Sequence, residues 1–185
     1  MGRKGGQMKI PFVVFQTKLG WMGLVGSEKG VTRIYLPEAS RADLLRRIYR
    51  EFPGCQEGNE LLAEAKKEII EYFDGRRDTF DMPLDLSSAT PFQRKVYQVM
   101  KTIPLGKIHT YRWLAQKIGN PKGLRAVGSA NARNHWPLVI PCHRIVGSDG
   151  RLTGFSAPGG LALKEELLNL EGVRVEKGRT KPIAD

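Results

Sequence analysis

The chain has 185 residues, 41% hydrophobic and 26% charged, a composition that excludes wholesale disorder and allows one generous domain or two small ones. No apolar run approaches the roughly 20 residues of a membrane-spanning helix, and no apolar core with a cleavage site follows the basic, glycine-rich start, so a cytoplasmic setting away from membranes is expected. Two cysteines, Cys55 and Cys142, exclude a disulfide framework, and with three histidines no metal site is expected.

In chain order, three apolar runs read as strands: Met8 to Phe15, Trp21 to Val25 and Val31 to Leu36, punctuated by Gly20, Gly26 and Gly30. Ser40, with Asp43 three residues on, starts a helix carrying Leu44, Leu45, Ile48 and Phe52, stopped by Pro53-Gly54. A second helix is predicted from about Asn59 to Phe73, closed by Gly75. Cys55 lies in a Pro-Gly-Cys turn without a nearby histidine and reads as structural. After an extended linker from Asp81 to Thr90, Thr90 caps a helix beginning at Pro91, with Phe92, Val96, Val99, Met100 and Ile103 as its apolar stripe. Thr110 caps a short helix from Tyr111 to Ile118, Gly119-Asn120-Pro121 turns the chain, and a further helix runs from about Lys122 to Ala132.

Charge sorts this second half from the first. The net charge is +11, and the segment from Arg94 to Arg151 holds eleven Lys/Arg residues against one acid, Asp149. Nearly all the excess sits there, the footprint of a segment that meets a polyanion. It coincides with the two short helices, which match a helix-turn-helix. The second of them is built from small residues (Gly123, Ala126, Gly128, Ser129, Ala130), which permit close backbone approach to a narrow groove or close helix packing. Arg125 is its one long cation.

Leu138-Val139-Ile140, set between Pro137 and Pro141, reads as a buried strand that ends at Cys142-His143-Arg144. Beside an imidazole and a guanidinium a thiol is expected to ionise readily, and the thiolate is the nucleophile.

The string Ile140-Pro141-Cys142-His143-Arg144-Ile145-Val146, followed by Gly154-Phe155-Ser156, Gly159-Gly160-Leu161 and Leu168-Asn169-Leu170-Glu171-Gly172, resembles the O6-alkylguanine-DNA alkyltransferases. Thr90-Pro91-Phe92-Gln93, Ile103-Pro104-Leu105-Gly106, Thr110-Tyr111 and Arg125-Ala126-Val127-Gly128 extend the match over the second half. The resemblance implies an α+β protein. Residues 1–87 would form an RNase H-like α/β domain with its linker. Residues 88–185 would form a mostly helical domain holding the helix-turn-helix and the Pro-Cys-His-Arg loop. It also implies a single-use reaction without a cofactor, in which an alkyl group passes from O6 of guanine to Cys142 after the base is flipped out of the duplex; O4-alkylthymine is left open as a second substrate.

Carried over by resemblance, His143 is the base acting through a water, Glu171 orients it, and Asn134 links the helix-turn-helix to the active-site loop. Tyr111 and Arg125 rotate the nucleotide out and fill its place. Gln93, Arg112, Asn120 and Ser148 contact the DNA backbone, and Phe155 and Ser156 line the base pocket. The implied partner is duplex DNA carrying O6-alkylguanine, met through the minor groove with little sequence preference by a monomer. Phe155 stands where many relatives have tyrosine, so the Ser156 hydroxyl, nearby backbone N–H groups or a water would have to donate to O6. His135 is expected to face solvent, and the basic ends, Arg3-Lys4 and Lys177 to Lys181, to be solvated tails. The alternatives are a lesion-binding relative that lacks transfer, a helix-turn-helix regulator and a thiol hydrolase. Cys142 argues against the first, and the Cys-His pair with Glu171 against the second.

Overall fold

The computed structural model describes residues 10–58 and 60–181, so Met8, Asn59 and Arg3-Lys4 fall outside the described residues. Strands β1 (Pro11–Thr17), β2 (Gly20–Ser27) and β3 (Gly30–Glu38) pair antiparallel through two-residue turns. Side chains alternate across this sheet, as the strand period of two requires. Phe12, Val25 and Tyr35 face α1 (Arg41–Glu51), while Phe15, Met22, Leu24 and Ile34 face the other way into the main core. Helix α1 starts as expected, the Ser40 hydroxyl accepting from the Asp43 N–H at 3.2 Å. A short β4 (Gln56–Glu57) joins β1 in parallel, giving the order β3-β2-β1-β4. Instead of one helix from Asn59, a 3₁₀ turn at Glu60–Leu62 leads into α2 (Ala63–Phe73).

The linker is extended and lies along β3: the Val31 N–H donates to the Pro83 carbonyl (2.8 Å) and the Asp85 N–H to that of Val31 (2.9 Å). Gly30 makes this approach possible, because at its φ of +133° a Cβ would run into the Pro83 carbonyl. In α3 (Pro91–Met100), Thr90 and Gln93 close a capping box, and Val96, Tyr97 and Met100 are buried. Strand β5 (His109–Thr110) precedes α4 (Tyr111–Lys117), whose first turn is capped by the Thr110 hydroxyl. The turn through Gly119 and Asn120 leads to α5 (Leu124–Ala132). Strand β6 (Ile145–Val146) pairs in parallel with β5, and α6 (Gly160–Leu170) closes against the turn at Cys142–Arg144. His109 sits on β5 with its ring stacked on Trp113, the centroids 3.7 Å apart.

The expected strand at Leu138-Val139-Ile140 does not form. The segment is a buried turn in which Leu138 adopts φ +72°. Two prolines flank it and withhold N–H donors from any ladder. The Asn134 side chain supplies bonds a neighbouring strand would have given: its Nδ2 donates to the Ile140 carbonyl (2.7 Å) and its Oδ1 accepts from the Trp136 N–H (3.0 Å). The same loop is sewn to β3. Trp136, 1% exposed, donates its indole N–H to Val31 (2.8 Å), and the Ile34 N–H donates to the His135 carbonyl (2.8 Å). Loss of a buried tryptophan of this kind costs about 3–5 kcal/mol. One apolar cluster therefore runs from Phe15 and Leu24 on the sheet through Ile69 and Met100 to Trp136, Ile140 and Cys142.

Candidate active site

Cys142 opens a 3₁₀ turn, Cys142–Arg144, and three residues per turn send its successive side chains in three directions. Cys142, 6% exposed, lines a cavity of about 410 Å³ that it shares with Asn131, Asn134, Pro137, Phe155 and Ser156. His143 and Arg144 turn into the protein toward Glu171 at the end of α6. The Glu171 carboxylate meets His143 Nε2 at 2.8 Å and accepts from Arg144 Nε and Nη2, both at 2.8 Å. It also accepts from the Tyr72 hydroxyl of α2 at 2.7 Å. Arg144 donates once more, to the Ile103 carbonyl at 2.5 Å.

Burial and charge set the protonation states. Burial acts to raise the Glu171 pKa, but the bonded imidazole and the Arg144 guanidinium outweigh it and hold the carboxyl well below the usual carboxylate range. Burial pushes His143 below its ordinary value, so it is neutral at pH 7. With Glu171 ionised, the imidazole proton belongs on Nε2, leaving Nδ1 as the basic nitrogen; it has no other partner among the described residues. The expected easy ionisation of the thiol is not found. Burial pushes the Cys142 pKa up, and the opposing influences come from the Asn134 side chain, Lys164 and the backbone N–H groups of Cys142 and His143, not from the His143 imidazole or the Arg144 guanidinium. Arg144 spends its charge on Glu171.

Lys164 was not anticipated from the sequence. Fully buried on α6, it donates to the carbonyls of Ile145 (2.5 Å) and Thr153 (2.8 Å) and lies 6.0 Å from the Phe155 ring. Burial lowers its pKa to about 8, against the opposing pull of Cys142. A lysine inside the apolar face of α6, after Leu163 and before Leu167, was the available signal. Tyr72 gave none, because nothing local marks an aromatic residue as a carboxylate partner.

Phe155 and Ser156, expected to line a base pocket, both border the cavity at Cys142. The Ser156 hydroxyl donates to the Ala132 carbonyl at 2.9 Å, so its proton is already committed. His135 does not face solvent as expected: it is half-buried, lines the same cavity and packs against Trp136, because its backbone is pinned to β3. Burial and Arg33 lower its pKa.

Tyr111, Arg112, Arg125 and Ser148 come together around a second depression of about 450 Å³. The Tyr111 hydroxyl accepts from Asn131 Nδ2 at 3.2 Å and sits 3.5 Å from the Thr153 carbonyl, and burial pushes its pKa up to about 12. Tyr111 and Asn131 thus form the wall between the two cavities. Gln93 and Asn120 line neither. The Gln93 amide oxygen is used in its helix cap, and Asn120 lies in the exposed turn before α5, its amide folded over Gly123.

Comparison with known proteins gives the family. Residues 12–86 match the ribonuclease-like domain of 6-O-methylguanine DNA methyltransferase, and residues 91–173 match its DNA binding domain. The constitutive methylated-DNA–protein-cysteine methyltransferase of Bacillus subtilis is 37% identical over 88% of this chain and 95% of its own length. The corresponding protein of Methanosarcina acetivorans is 37% identical over 87% and 97%. A crystal structure of the Mycobacterium tuberculosis OGT in complex with DNA superposes with a TM-score of 0.72 at 30% identity, covering 88% of this chain and 93% of that one. With both parts matched in order and a buried Cys-His-Glu constellation at their junction, the chain belongs to the methylated-DNA–protein-cysteine methyltransferase family.

Proposed function

We propose that this protein repairs DNA by transferring an alkyl group from O6 of guanine to Cys142 Sγ, once per molecule. One observation carries the reading: a thiol at a base-sized cavity stands next to an imidazole whose Nε2 is held by a buried carboxylate and whose Nδ1 is uncommitted among the described residues. The thiol proton passes to His143 Nδ1 through a bridging water. Sγ then attacks the alkyl carbon, the carbon–O6 bond breaks with its electrons on oxygen, and the guanine regains neutrality by taking up a proton. The thiol rests protonated because it is buried, so thiolate forms when substrate is in place, where Asn134 and Lys164 favour it. The product thioether is inert, and no group in the site is suited to cleave it. Each molecule is therefore consumed.

O6 sits on the edge of a stacked base, so the nucleotide has to leave the duplex, at a cost of a few kcal/mol. Tyr111 and Arg125 border the depression next to the cavity, which supports their driving and filling that extrusion. The small-residue face of α5 suits minor-groove docking without base readout, and Arg112 and Ser148 suit backbone contact. Gln93 and Asn120 would touch the backbone farther out. With Ser156 committed to Ala132, the donor to O6 would be a backbone N–H of the 154–158 loop or a water. In this reading residues 88–185 bind DNA and carry the chemistry, residues 1–87 brace the site through Tyr72 and Val31, and the protein acts as a monomer.

Intact-mass measurement after mixing with duplex DNA containing O6-methylguanine tests the proposal. One methyl on the Cys142 peptide supports it, with Cys142→Ala binding the duplex unlabelled. Tight binding without any label would instead mean a lesion-binding protein, and repeated turnover a hydrolase.

A further inference from the structure

The basic end of the chain does not behave as the solvated tail expected from its composition. Residues 173–181 fold back onto the turn that follows the active-site segment. The Leu152 N–H donates to the Gly178 carbonyl (2.9 Å), the Thr180 N–H to that of Gly150 (2.9 Å), and Val175 and Thr180 are buried. Val175 packs with Val146, Leu152 and Leu168 in a small apolar cluster of its own. Gly150 permits the seat: at its φ of +77° a Cβ would lie 2.5 Å from the Thr180 carbonyl.

The fold of this clip sorts its charges outward. Val175 and Thr180 point in, whereas Arg174, Lys177, Arg179 and Lys181 are exposed, joined by Arg151 on the facing strand. Against these five cations stand two acids: Glu176 pairs with Arg174 (2.7 Å), and Asp149 is shared between Arg151 (3.4 Å) and Arg179 (3.6 Å). The tip is a two-residue hairpin turn with positive φ at both Lys177 (+52°) and Gly178 (+73°). Asn, Asp or Gly is the usual first residue of such a turn, and a lysine there is conformationally costly. Its presence is accounted for if a long cation is wanted at the tip.

Position gives these charges a partner. The 147–150 turn on which the clip is seated carries Ser148, and Ser148 borders the depression formed by Tyr111, Arg112 and Arg125. The clip therefore continues the face that the proposed function turns toward DNA, beyond residue 173, where the match to the family's DNA binding domain ends. We propose that residues 173–181 are a DNA-binding element that contacts backbone phosphates beside the Ser148 turn, lengthening the footprint without reading sequence. Exposed Arg and Lys side chains on a turn beside the depression suit phosphate contact of this kind.

This rests on the DNA-repair reading above, and the test separates the two. Binding to a duplex carrying one O6-methylguanine is measured as a function of salt for the full-length protein and for Arg174→Gln/Lys177→Asn. Asn keeps the positive φ of the turn while removing the charge. The salt slope of the variant is expected to be shallower by about 1–2, roughly 0.9 for each phosphate that is no longer neutralised. Its rate of benzyl transfer from free O6-benzylguanine, which needs no DNA, should equal that of the parent. An unchanged slope in a variant with the parent's free-base rate overturns the clip's role and leaves the repair reading standing. A parent protein that takes no alkyl group from either substrate overturns the repair reading itself. Arg174→Gln and Lys177→Asn made singly should each move the slope by up to about 1, so the result does not depend on how well the double variant folds.

Discussion

The hydroxyl of Tyr72 on α2 donates to Oε1 of Glu171, 99 residues away, at 2.7 Å inside the protein. Through it the sheet-bearing half of the chain reaches the carboxylate that holds the His143 imidazole. The contact withdraws electron density from Glu171 and so limits the basicity of the ring bonded to it.

Tyr72→Phe should therefore change chemistry as well as stability. Hydrogen bonds to charged groups are worth about 1.5–3 kcal/mol, and denaturant unfolding should show a loss near the low end, since Arg144 and His143 still satisfy the carboxylate. Glu171 becomes the stronger base and raises the imidazole pKa. The acid limb of the pH–rate profile for alkyl transfer should move to higher pH, whereas a purely structural contact would leave it in place.

Arg125→Ala should slow repair of duplex DNA by 10-fold or more while leaving the reaction with free O6-benzylguanine unchanged; a few kcal/mol of unstacking left uncompensated gives that order of effect. Single-turnover kinetics on both substrates decides it. Equal losses on the two would contradict a role in nucleotide extrusion.

Gly154 separates the two cavities at φ +62°, where an added Cβ would lie 2.5 Å from the Tyr111 hydroxyl oxygen. Gly154→Ala should cost about 1–2 kcal/mol from the backbone conformation alone. It should also displace Tyr111, so duplex binding weakens at a temperature where the variant remains folded. Thermal melts and DNA titration of the same sample check both effects.

Stability should fall on mild acidification, because burial holds the folded pKa values of His143 and His135 below their ordinary value. Below about pH 6.5 the unfolded chain binds protons at both positions before the folded one does. The stabilisation from their neutral forms is thus complete above that pH and is lost as pH falls toward the depressed folded values. Glu171 follows the same sign at lower pH: its stabilisation is present above about pH 4.3 and is lost on descent through its depressed folded value. Urea unfolding between pH 7.5 and pH 5, on the order of two protons at most, should show a shallower slope for His135→Gln than for the parent.

Local chemistry made part of this molecule legible in advance. The caps at Ser40, Thr90 and Thr110 each bond an N–H three residues on, so the starts of α1, α3 and α4 follow from short-range geometry. The charge excess and the Cys142-His143-Arg144 string likewise lie in contiguous sequence. Other features depended on contacts between segments far apart. The run before Cys142 carries a strand's composition but becomes a turn, because Asn134 satisfies its backbone and β3 holds Trp136 across 105 positions. The thiol's raised pKa, the buried Lys164, the Tyr72 contact and the folding of residues 173–181 onto Gly150 share that origin. Desolvation and close approach are properties of assembled surfaces, and a residue's neighbours in sequence do not determine which surface it meets.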